Sequence, residues 1–441
     1  MSHFFTRLRC CLAVPLLLLS ASAFAEADTL ISSSPSLVAY VESVLRSHPE
    51  LKAADASVAA AEAKAEGLAL PIYNPELNAD AQRSQSDAYS IGLSQALDVS
   101  GKRSARRLSG QKLLQQAVAE RAALRQKLAT GVLSALADYH AKQALLALVR
   151  QRLALLQGFS TIADQQYQAG DTGILDRNLG NLALAEGIAI AGRAELEQLQ
   201  ARRALDTATG NSVLEPPELP SVLPAPQSLS SDFDALTQAL PEVQASRAKH
   251  EAALAEVGIA RSNRHADPTI GIRGGRETSS SETGKTLVGL QLSIPLFLRN
   301  NFRAEQVAAS ASADAARIET AALAQQALAR MKATASQYRA SYAAWDRWQR
   351  ASGAALDNGI ELLDRVWKAR EFSTADYLVQ LKQLLDGRAA GEELRYQTWQ
   401  AWAAWLEASG QWRAALTEVD TAAAAQPPTA PHSNPISGVT P

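Results

Sequence analysis

One stretch of the sequence occurs twice, and this repetition constrains the fold more than any other feature. YQAGDTGILD runs from Tyr167 to Asp176, and WKAREFSTAD runs from Trp367 to Asp376. Each follows a long helical pattern and opens a second one, which ends in a small residue and glycine at Thr209-Gly210 and at Ser409-Gly410. The separation is 200 residues at every matching position. We therefore interpret the chain as an internal duplication.

The duplication reaches upstream and divides the chain into segments. Pro241-Glu242 matches Pro49-Glu50 at an offset of 192 residues, inside helical patterns at Ser36 to Leu70 and Ser231 to His265. We predict a first repeat over residues 26–210 and a second over 231–411. Between them lies a Pro-rich linker, 211–230, and after them a C-terminal tail, 412–441, that is equatorial or disordered.

The first residues have the features of an export signal. Arg7 and Arg9 precede an apolar run from Leu12 to Leu19, and Ala23-Phe24-Ala25 is a small-x-small cleavage site. The run is too short for a membrane-spanning helix. We predict a signal peptide over residues 1–25, which contains both cysteines, so the mature chain has no disulfide. Its removal changes the formal net charge from −2 to about −4, which argues against nucleic-acid binding.

In each repeat the apolar period changes to two after the upstream helical pattern. Apolar residues alternate with polar residues or glycine from Leu77 to Leu93 and from Ile270 to Ile294. We predict one β-hairpin per repeat, over 75–98 and 268–296. Strands of about ten residues with this alternation suit a bilayer span, although a two-stranded flap on a soluble protein has the same pattern. Four strands cannot close a barrel, and open edges are not tolerated in lipid, so a spanning sheet requires several chains.

Two long proline-free helical patterns follow the hairpins. Arg103 to Ala169 and Arg303 to Ala369 could each extend about 100 Å at 1.5 Å per residue. With the returning patterns they make helical hairpins over 103–209 and 303–409. We expect these rods to pack against the returning helices, the upstream helices and neighbouring subunits. An aromatic belt is predicted within the second hairpin from Trp345, Trp348, Trp399 and Trp402.

These features together resemble the TolC-type outer-membrane factor family, over a range from about Ser36 to Gly410. The resemblance rests on the signal peptide, the paired helix–hairpin–long helix–helix units, the Tyr-x-x-Gly turn of Tyr167 to Gly170 and the linker. It implies a mainly α fold with membrane β-structure, in which a homotrimer forms a twelve-stranded outer-membrane β-barrel continued by a periplasmic α-helical barrel. It also implies an exit duct of a tripartite efflux pump in a Gram-negative bacterium. The implied partners are a periplasmic adaptor (membrane fusion protein), an inner-membrane RND-type transporter and outer-membrane lipid.

Two short motifs are similar to the heavy-metal branch of that family, which serves cobalt, zinc, cadmium, copper or silver exporters. They are NPEL, Asn74 to Leu77, and DVSGKR, Asp98 to Arg103. The histidines are scattered without ligand spacing and there is no Met-rich site, so we predict neither a resident metal nor a cofactor. A duct need not bind what it conducts. Heavy-metal cations are therefore the expected cargo, with drug efflux or type I protein secretion as alternatives.

We place the functional residues at the turns between the long helices, at the far end from the β-hairpins. The resemblance implies that the adaptor docks at these tips, which are formed by Gly170, Asp171, Thr172 and Gly173 in the first repeat and by Glu371, Phe372 and Ser373 in the second. The second copy has Trp367 and Arg370 in place of tyrosine and glycine, so the two tips are not interchangeable.

Two carboxylates recur just beyond the tips, Asp176 and Asp376. Each can stabilise the N-terminus of its helix. The resemblance supports a second role for Asp376, in a ring of carboxylates that narrows the periplasmic entrance and is restrained by Arg370. Such a ring would attract cations.

The sequence does not predict an enzyme, because no residues converge into an acid–base or nucleophilic set. Gly101-Lys102 lacks the remaining glycines of a phosphate loop. A periplasmic coiled-coil adaptor or scaffold would share the long hairpins, but it would not have two lipid-facing β-hairpins.

Overall fold

The computed structural model describes residues 36–83, 86–211, 214–220, 223–226, 229, 232–279, 282–368 and 374–424. The predicted signal peptide, residues 369–373 of the second tip and the tail from 425 lie outside these ranges.

Within the described residues, the first repeat has four helices and two strands. Helices α1 (Leu37–Ser47) and α2 (Pro49–Ala69) precede strands β1 (Glu76–Arg83) and β2 (Ser86–Ala96), which are followed by α3 (Lys102–Ala169) and α4 (Ile174–Ala208). Pro49 interrupts the upstream helical pattern because it occupies the first position of α2 and holds His48 in extended backbone, with φ −62° and ψ 126°.

The second repeat has the same order and adds a terminal helix. It consists of α5 (Phe233–Ala239), α6 (Pro241–Ser262), β3 (Thr269–Ser279), β4 (Glu282–Ser293), α7 (Arg303–Lys368), α8 (Thr374–Ser409) and α9 (Trp412–Ala424). Gly210 and Gly410 follow α4 and α8 with φ of 64° and 75°, so both repeats end in a left-handed glycine.

The first part of the predicted C-terminal tail is helical. Residues 412–424 form α9, because Trp412, Leu416 and Val419 recur at helical spacing and are buried. Asp420 of α9 accepts hydrogen bonds from the backbone N–H groups of Leu37 and Val38, at 3.0 and 3.1 Å. The last described helix therefore caps the first.

The long helices form a layer in which α3 is central. On one side α2 and α4 pack against α3, and on the other side α6 and α8 do so; α7 packs against α6 and α8. Along α3, the returning helix of each repeat, α4 or α8, is thus continued by the upstream helix of the same repeat, α2 or α6. The outer members of the layer are α7 and the α2–α4 pair, which have long helices of this chain on one side only. None of the helices in the described ranges has the length and apolar character needed to cross a membrane.

A seam of small residues brings α4 close to α3. Gly180, Gly187, Ala194 and Ala201 are buried at a spacing of seven residues. A Cβ atom at Gly187 would lie 2.8 Å from Cδ1 of Leu156, so a larger residue there would displace the Leu156 side chain. This seam gives the first hairpin a closely packed interface between α3 and α4.

The main hydrophobic cluster lies where both repeats meet α9. The rings of Trp399 and Trp402 contact edge to face at 5.3 Å, and Trp405, Trp412 and Tyr338 are buried with them. The other two residues of the predicted aromatic belt, Trp345 and Trp348, have different neighbours. Trp345 contacts Tyr342, at a ring separation of 6.0 Å, and Trp348 packs over Gly391. The tryptophans are packing residues in several neighbouring contacts.

We expect Gly391→Ala to destabilise the protein, although alanine favours a helix by about 1 kcal/mol. The added Cβ would overlap the Trp348 ring, and overpacking costs about 1–3 kcal/mol. The apparent melting temperature should therefore fall. Gly158→Ala on α3 is the matched control, because its Cβ would meet nothing within 4 Å, and it should raise the melting temperature. A rise in both variants would contradict the packing of Trp348 on Gly391.

Candidate functional site: the β-sheet and the helical tips

The four strands form one antiparallel sheet in the order β1-β2-β3-β4. Strand β2 pairs with β3 from Ser86 opposite Ser279 to Ala96 opposite Thr269, which joins the hairpins of the two repeats. Strands β1 and β4 each have one edge that no other strand of this chain pairs within the described residues. The sheet is therefore open on both sides.

One face of this sheet is apolar and exposed. The register aligns two rows across all four strands: Leu77, Leu93, Ile272 and Leu290, and then Ala79, Ile91, Gly274 and Val288. Leu77 is 76% exposed, and Val288 and Leu290 are each 85% exposed. A contiguous, exposed apolar face across four strands indicates a surface made for lipid or another apolar partner.

The opposite face is polar and rich in glycine. Its rows are Asn78, Gly92, Arg273 and Gly289, and Asp80, Ser90, Gly275 and Leu287. A Cβ at Gly289 would lie 2.9 Å from Nε of Arg273, so this glycine makes room for the arginine side chain. The two faces have the polarity that a strand pair needs between lipid and water.

A buried ion pair lies where the strands meet the long helices. Lys102 Nζ donates to Asp267 Oδ2 at 2.8 Å, and these side chains are 12% and 3% exposed. Tyr73 and Ser100 donate their hydroxyl hydrogens to the same carboxylate, at 2.7 and 3.1 Å. The cluster thus joins the loop before β1, the loop after β2, the start of α3 and the loop before β3.

The protonation of this cluster follows from its contacts. Burial raises the pKa of Asp267, but the hydrogen bonds from Lys102, Tyr73 and Ser100 and the charge of Lys102 outweigh it and hold that pKa below its ordinary value. Burial and the bond to Asp267 raise the pKa of Tyr73 to about 12. Asp267 is therefore an acceptor and Tyr73 a donor at neutral pH.

The first helical tip has a well-defined turn. Gly170 has φ 78°, and its N–H donates to Tyr167 O at 3.1 Å while the N–H of Asp171 donates to Gln166 O at 2.9 Å. This bonding pattern ends α3 in a Schellman motif. Gly170, Asp171 and Gly173 are exposed and Thr172 is half-buried, so the predicted docking residues of this tip lie together at the surface.

An arginine that the sequence analysis did not single out supports this tip. Arg177 of α4 donates to Asp164 of α3 at 2.6 Å, and its guanidinium lies 5.2 Å from the centre of the Tyr167 ring. The matching position in the second repeat is Tyr377, whose ring stacks on Phe159 of α3 at 5.6 Å. The offset of 200 residues aligns these two positions in the sequence, but only the structure shows that their side chains make different contacts.

Both predicted gate carboxylates lie in first turns. Asp176 is half-buried at the start of α4, and Asp376 is exposed at the start of α8. The N-terminus of a helix stabilises a carboxylate at these positions. Arg370, Glu371, Phe372 and Ser373 lie outside the described residues. Among the side chains that the structure describes, no group of three or more His, Cys, Asp or Glu is arranged to hold a metal ion.

Comparison with protein families decides what this architecture is. The family model described as outer membrane efflux protein matches residues 40–211 and 234–411. The chain belongs to the outer membrane efflux protein family. The members of this family are channels, so this efflux protein is not an enzyme.

Solved structures show the same fold as this efflux protein. A membrane protein from Pseudomonas aeruginosa has a TM-score of 0.70 and 18% identity, over 85% of this chain and 93% of that chain. CusC has a TM-score of 0.69 and 15% identity, over 85% and 92% of the two chains. The CmeC outer membrane channel of Campylobacter jejuni has a TM-score of 0.68 and 15% identity, over 90% and 94%. The predicted fold class is confirmed, whereas a search of curated proteins found no significant match.

The DVSGKR motif of this efflux protein has a structural explanation. The carboxylate of Asp98 accepts from the backbone N–H groups of Lys102 and Arg103, at 2.8 and 2.7 Å, and so caps α3. Gly101 has φ 74°, and Arg103 Nε donates to Ala69 O at 2.9 Å. The motif therefore builds the strand-to-helix junction, and neither a phosphate loop nor cargo binding is needed to explain it.

We expect Lys102→Met to lower the stability of this efflux protein by about 3–5 kcal/mol, because it leaves the buried Asp267 without its cation. The double variant Lys102→Met/Asp267→Asn should recover much of the loss, because the neutral amide removes the buried charge and its oxygen still accepts a hydrogen bond from Tyr73 or Ser100. The apparent melting temperature measures both changes. In the wild type, the ionised Asp267 carboxylate contributes to the free energy of unfolding. This contribution is fully present above the ordinary pKa of the group and is lost only as the pH falls through its lowered pKa in the folded protein.

Lys249→Met is the control for this prediction. Lys249 pairs with Glu319 at 2.9 Å, but the two side chains are 54% and 61% exposed. Solvent screens such a pair, so its loss should leave the melting temperature unchanged. Equal effects of Lys102→Met and Lys249→Met would contradict the role of the buried pair.

Proposed function

We propose that this efflux protein is the exit duct of a tripartite pump. In this proposal three identical chains form a twelve-stranded barrel in the outer membrane and a helical barrel that extends into the periplasm. The duct receives its cargo from a periplasmic adaptor and an inner-membrane RND-type transporter. Heavy-metal cations are its main cargo.

The open sheet is the observation that carries this proposal. An apolar face that stays exposed in one chain suits lipid, and the polar face behind it suits water. The edges of β1 and β4 carry backbone N–H and C=O groups, each of which costs several kcal/mol if it is left unpaired in hydrocarbon. Pairing β1 of one copy with β4 of the next satisfies both edges. Repetition around an axis closes the sheet.

The helical layer supports the same assembly. Leu175, Leu182 and Leu196 recur at multiples of seven residues on α4 and are 68%, 67% and 62% exposed. Helix α7, at the other end of the layer, exposes Val307 and Ile318, both 59%. Because each of these helices has long neighbours of this chain on one side only, the α2–α4 pair of one copy can pack against α7 of the next.

We expect Leu196→Glu to prevent assembly of the trimer, because it places a charge in this apolar stripe. Native gel electrophoresis and gel filtration in mild detergent should show a single chain. Val118→Glu is the control. Val118 is 50% exposed, comparable to Leu196, but it lies on α3, which has helices of its own chain on both sides. Trimers in both variants would argue against an interface through α4.

Three features support cation cargo. The NPEL and DVSGKR motifs resemble the heavy-metal branch, Glu76 and Asp80 lie on the polar face of the sheet, and Asp176 and Asp376 lie at the helical tips. A ring of Asp376 carboxylates around the axis of a trimer would be the narrowest acidic point of the entrance. The exposed first tip, from Gly170 to Gly173, is the proposed docking surface for the adaptor, together with the residues of the second tip.

We expect Asp376→Ala to change the single-channel conductance in planar bilayers and to weaken block by Zn²⁺ or Co²⁺ several-fold, because the ring loses its charge. Asp176→Ala tests the first tip in the same way, and Glu319→Gln, which removes an exposed carboxylate in the first half of α7, far from the tip, is the control. Unchanged traces in both aspartate variants would remove these residues from the entrance. A deletion strain that becomes sensitive to drugs but keeps its tolerance of zinc, cobalt and copper would contradict metal cargo.

A further inference from the structure

The apolar face of the sheet ends in a row that carries a charge. Its two apolar rows continue toward the helices with Ile270 opposite Leu292. In the other direction, toward the hairpin turns, the next row contains Ala81, Tyr89, Arg276 and Thr286. We call the last three of these residues, which lie on β2, β3 and β4, the outer row. The proposed duct assigns no role to an arginine on this face.

The charge of Arg276 is not neutralised by any carboxylate among the side chains that the structure describes. Arg276 itself is exposed. In the following row Arg83 and Asp87 pair with each other at 3.3 Å, so their charges offset. Glu277 and Lys285 lie opposite each other on the other face of the sheet, because successive residues of a strand alternate between its faces. This end of the apolar face therefore has an excess of positive charge among the described side chains.

The side chain of Arg276 points away from the apolar rows. A Cβ at Gly284 would lie 2.7 Å from Nε of Arg276 and 2.9 Å from Oγ1 of Thr278. Gly284 is two residues nearer to the hairpin turn than Thr286, which is opposite Arg276. The glycine thus leaves room for the arginine, whose guanidinium is directed toward the turns. A long basic side chain takes this course at the end of an apolar band, because its charge then lies outside the hydrocarbon.

The outer row combines hydrogen-bond donors with an adjacent apolar surface. Residues opposite each other on neighbouring strands have Cβ atoms about 5 Å apart, so the hydroxyls of Tyr89 and Thr286 flank the guanidinium of Arg276. Guanidinium groups bind phosphate through strong, charge-assisted hydrogen bonds. Ile91 and Val288, in the adjacent apolar row, are 65% and 85% exposed. The surface therefore matches an amphiphile that has a phosphate head group and several acyl chains.

We propose that the outer row binds a phosphate of lipid A, the phosphorylated and acylated disaccharide that anchors lipopolysaccharide in the outer leaflet. The inference rests on the proposed function, because the hairpin turns face the exterior only if the sheet crosses the outer membrane. Arg276 donates to the phosphate, the hydroxyls of Tyr89 and Thr286 donate to the same group, and the acyl chains lie on Ile91 and Val288. The site is complete within one chain, because β2, β3 and β4 all belong to it.

Native mass spectrometry with added lipid A tests the proposal. The protein is extracted in a non-ionic detergent and mixed with lipid A that carries its phosphates or, in a parallel sample, with lipid A from which a phosphatase has removed them. The wild-type protein should retain several-fold more of the phosphorylated form. Arg276→Gln should bind the two forms about equally, because the acyl contacts remain while the charge-assisted hydrogen bonds to phosphate are lost.

Two further variants serve as controls. Arg273→Gln removes an equal charge from an exposed position of the same strand, but on the polar face, and it should keep the wild-type preference. Arg276→Lys keeps the charge in the outer row and should have an intermediate preference, because an ammonium group lacks the forked donors of guanidinium. The mass of each ion gives the number of protein chains, so the same spectra verify that every variant assembles.

The outcomes that would overturn the proposal are distinct from those that concern the duct. Equal binding of the two lipids by the wild type, a preference that survives Arg276→Gln, or an equal loss of preference in Arg273→Gln would each overturn it. Displacement of lipid A by inorganic phosphate at equal concentration would show a site for the free ion and would overturn the assignment to a lipid. If the ions contain three chains, these results leave the proposed duct intact, whereas a single chain as the only species would contradict the duct.

Discussion

The unpaired edges of β1 and β4 are the constraint on which the rest of this protein depends. A sheet with one bare apolar face and one polar face can lie between lipid and water, but its edge N–H and C=O groups cannot be left in hydrocarbon. The same incompleteness recurs in the helical layer, whose outer members α7 and α4 expose apolar residues. Strands and helices are continuous through the junction at Asp267, so a neighbour that completes the sheet is positioned to complete the helical layer as well.

The duplication explains why one chain supplies two different tips. Residues 177 and 377 occupy equivalent positions, but Arg177 ties α4 to its own hairpin through Asp164 and Tyr167, whereas Tyr377 stacks on Phe159 of the first repeat. The first tip is therefore closed on itself, while the start of α8 is fixed to α3. Two copies of one motif have therefore diverged: the first tip makes its contacts within its own hairpin, whereas the start of the second returning helix is held by the first repeat.

Much of the fold follows from periodicity in the sequence. The change to a period of two predicts the strands, and the offset of 200 residues predicts the paired hairpins. The ion pair of Lys102 with Asp267 could not be predicted, because it joins residues far apart in the sequence that meet only after the sheet forms. The α3–α4 seam was missed because small residues carry little signal until a facing side chain such as Leu156 is known. The helix over residues 412–424 was not predicted, because the proline-rich segment that follows it dominates the composition of the tail.

The central claim is that one chain is an unfinished sheet and an unfinished helical layer, which identical copies complete together. Native mass spectrometry of the protein extracted from outer membranes in detergent tests this claim most directly. We predict a single species with three times the mass of the mature chain. Without detergent, no folded single chain should be found. A folded monomer that remains in aqueous buffer without detergent would contradict the account.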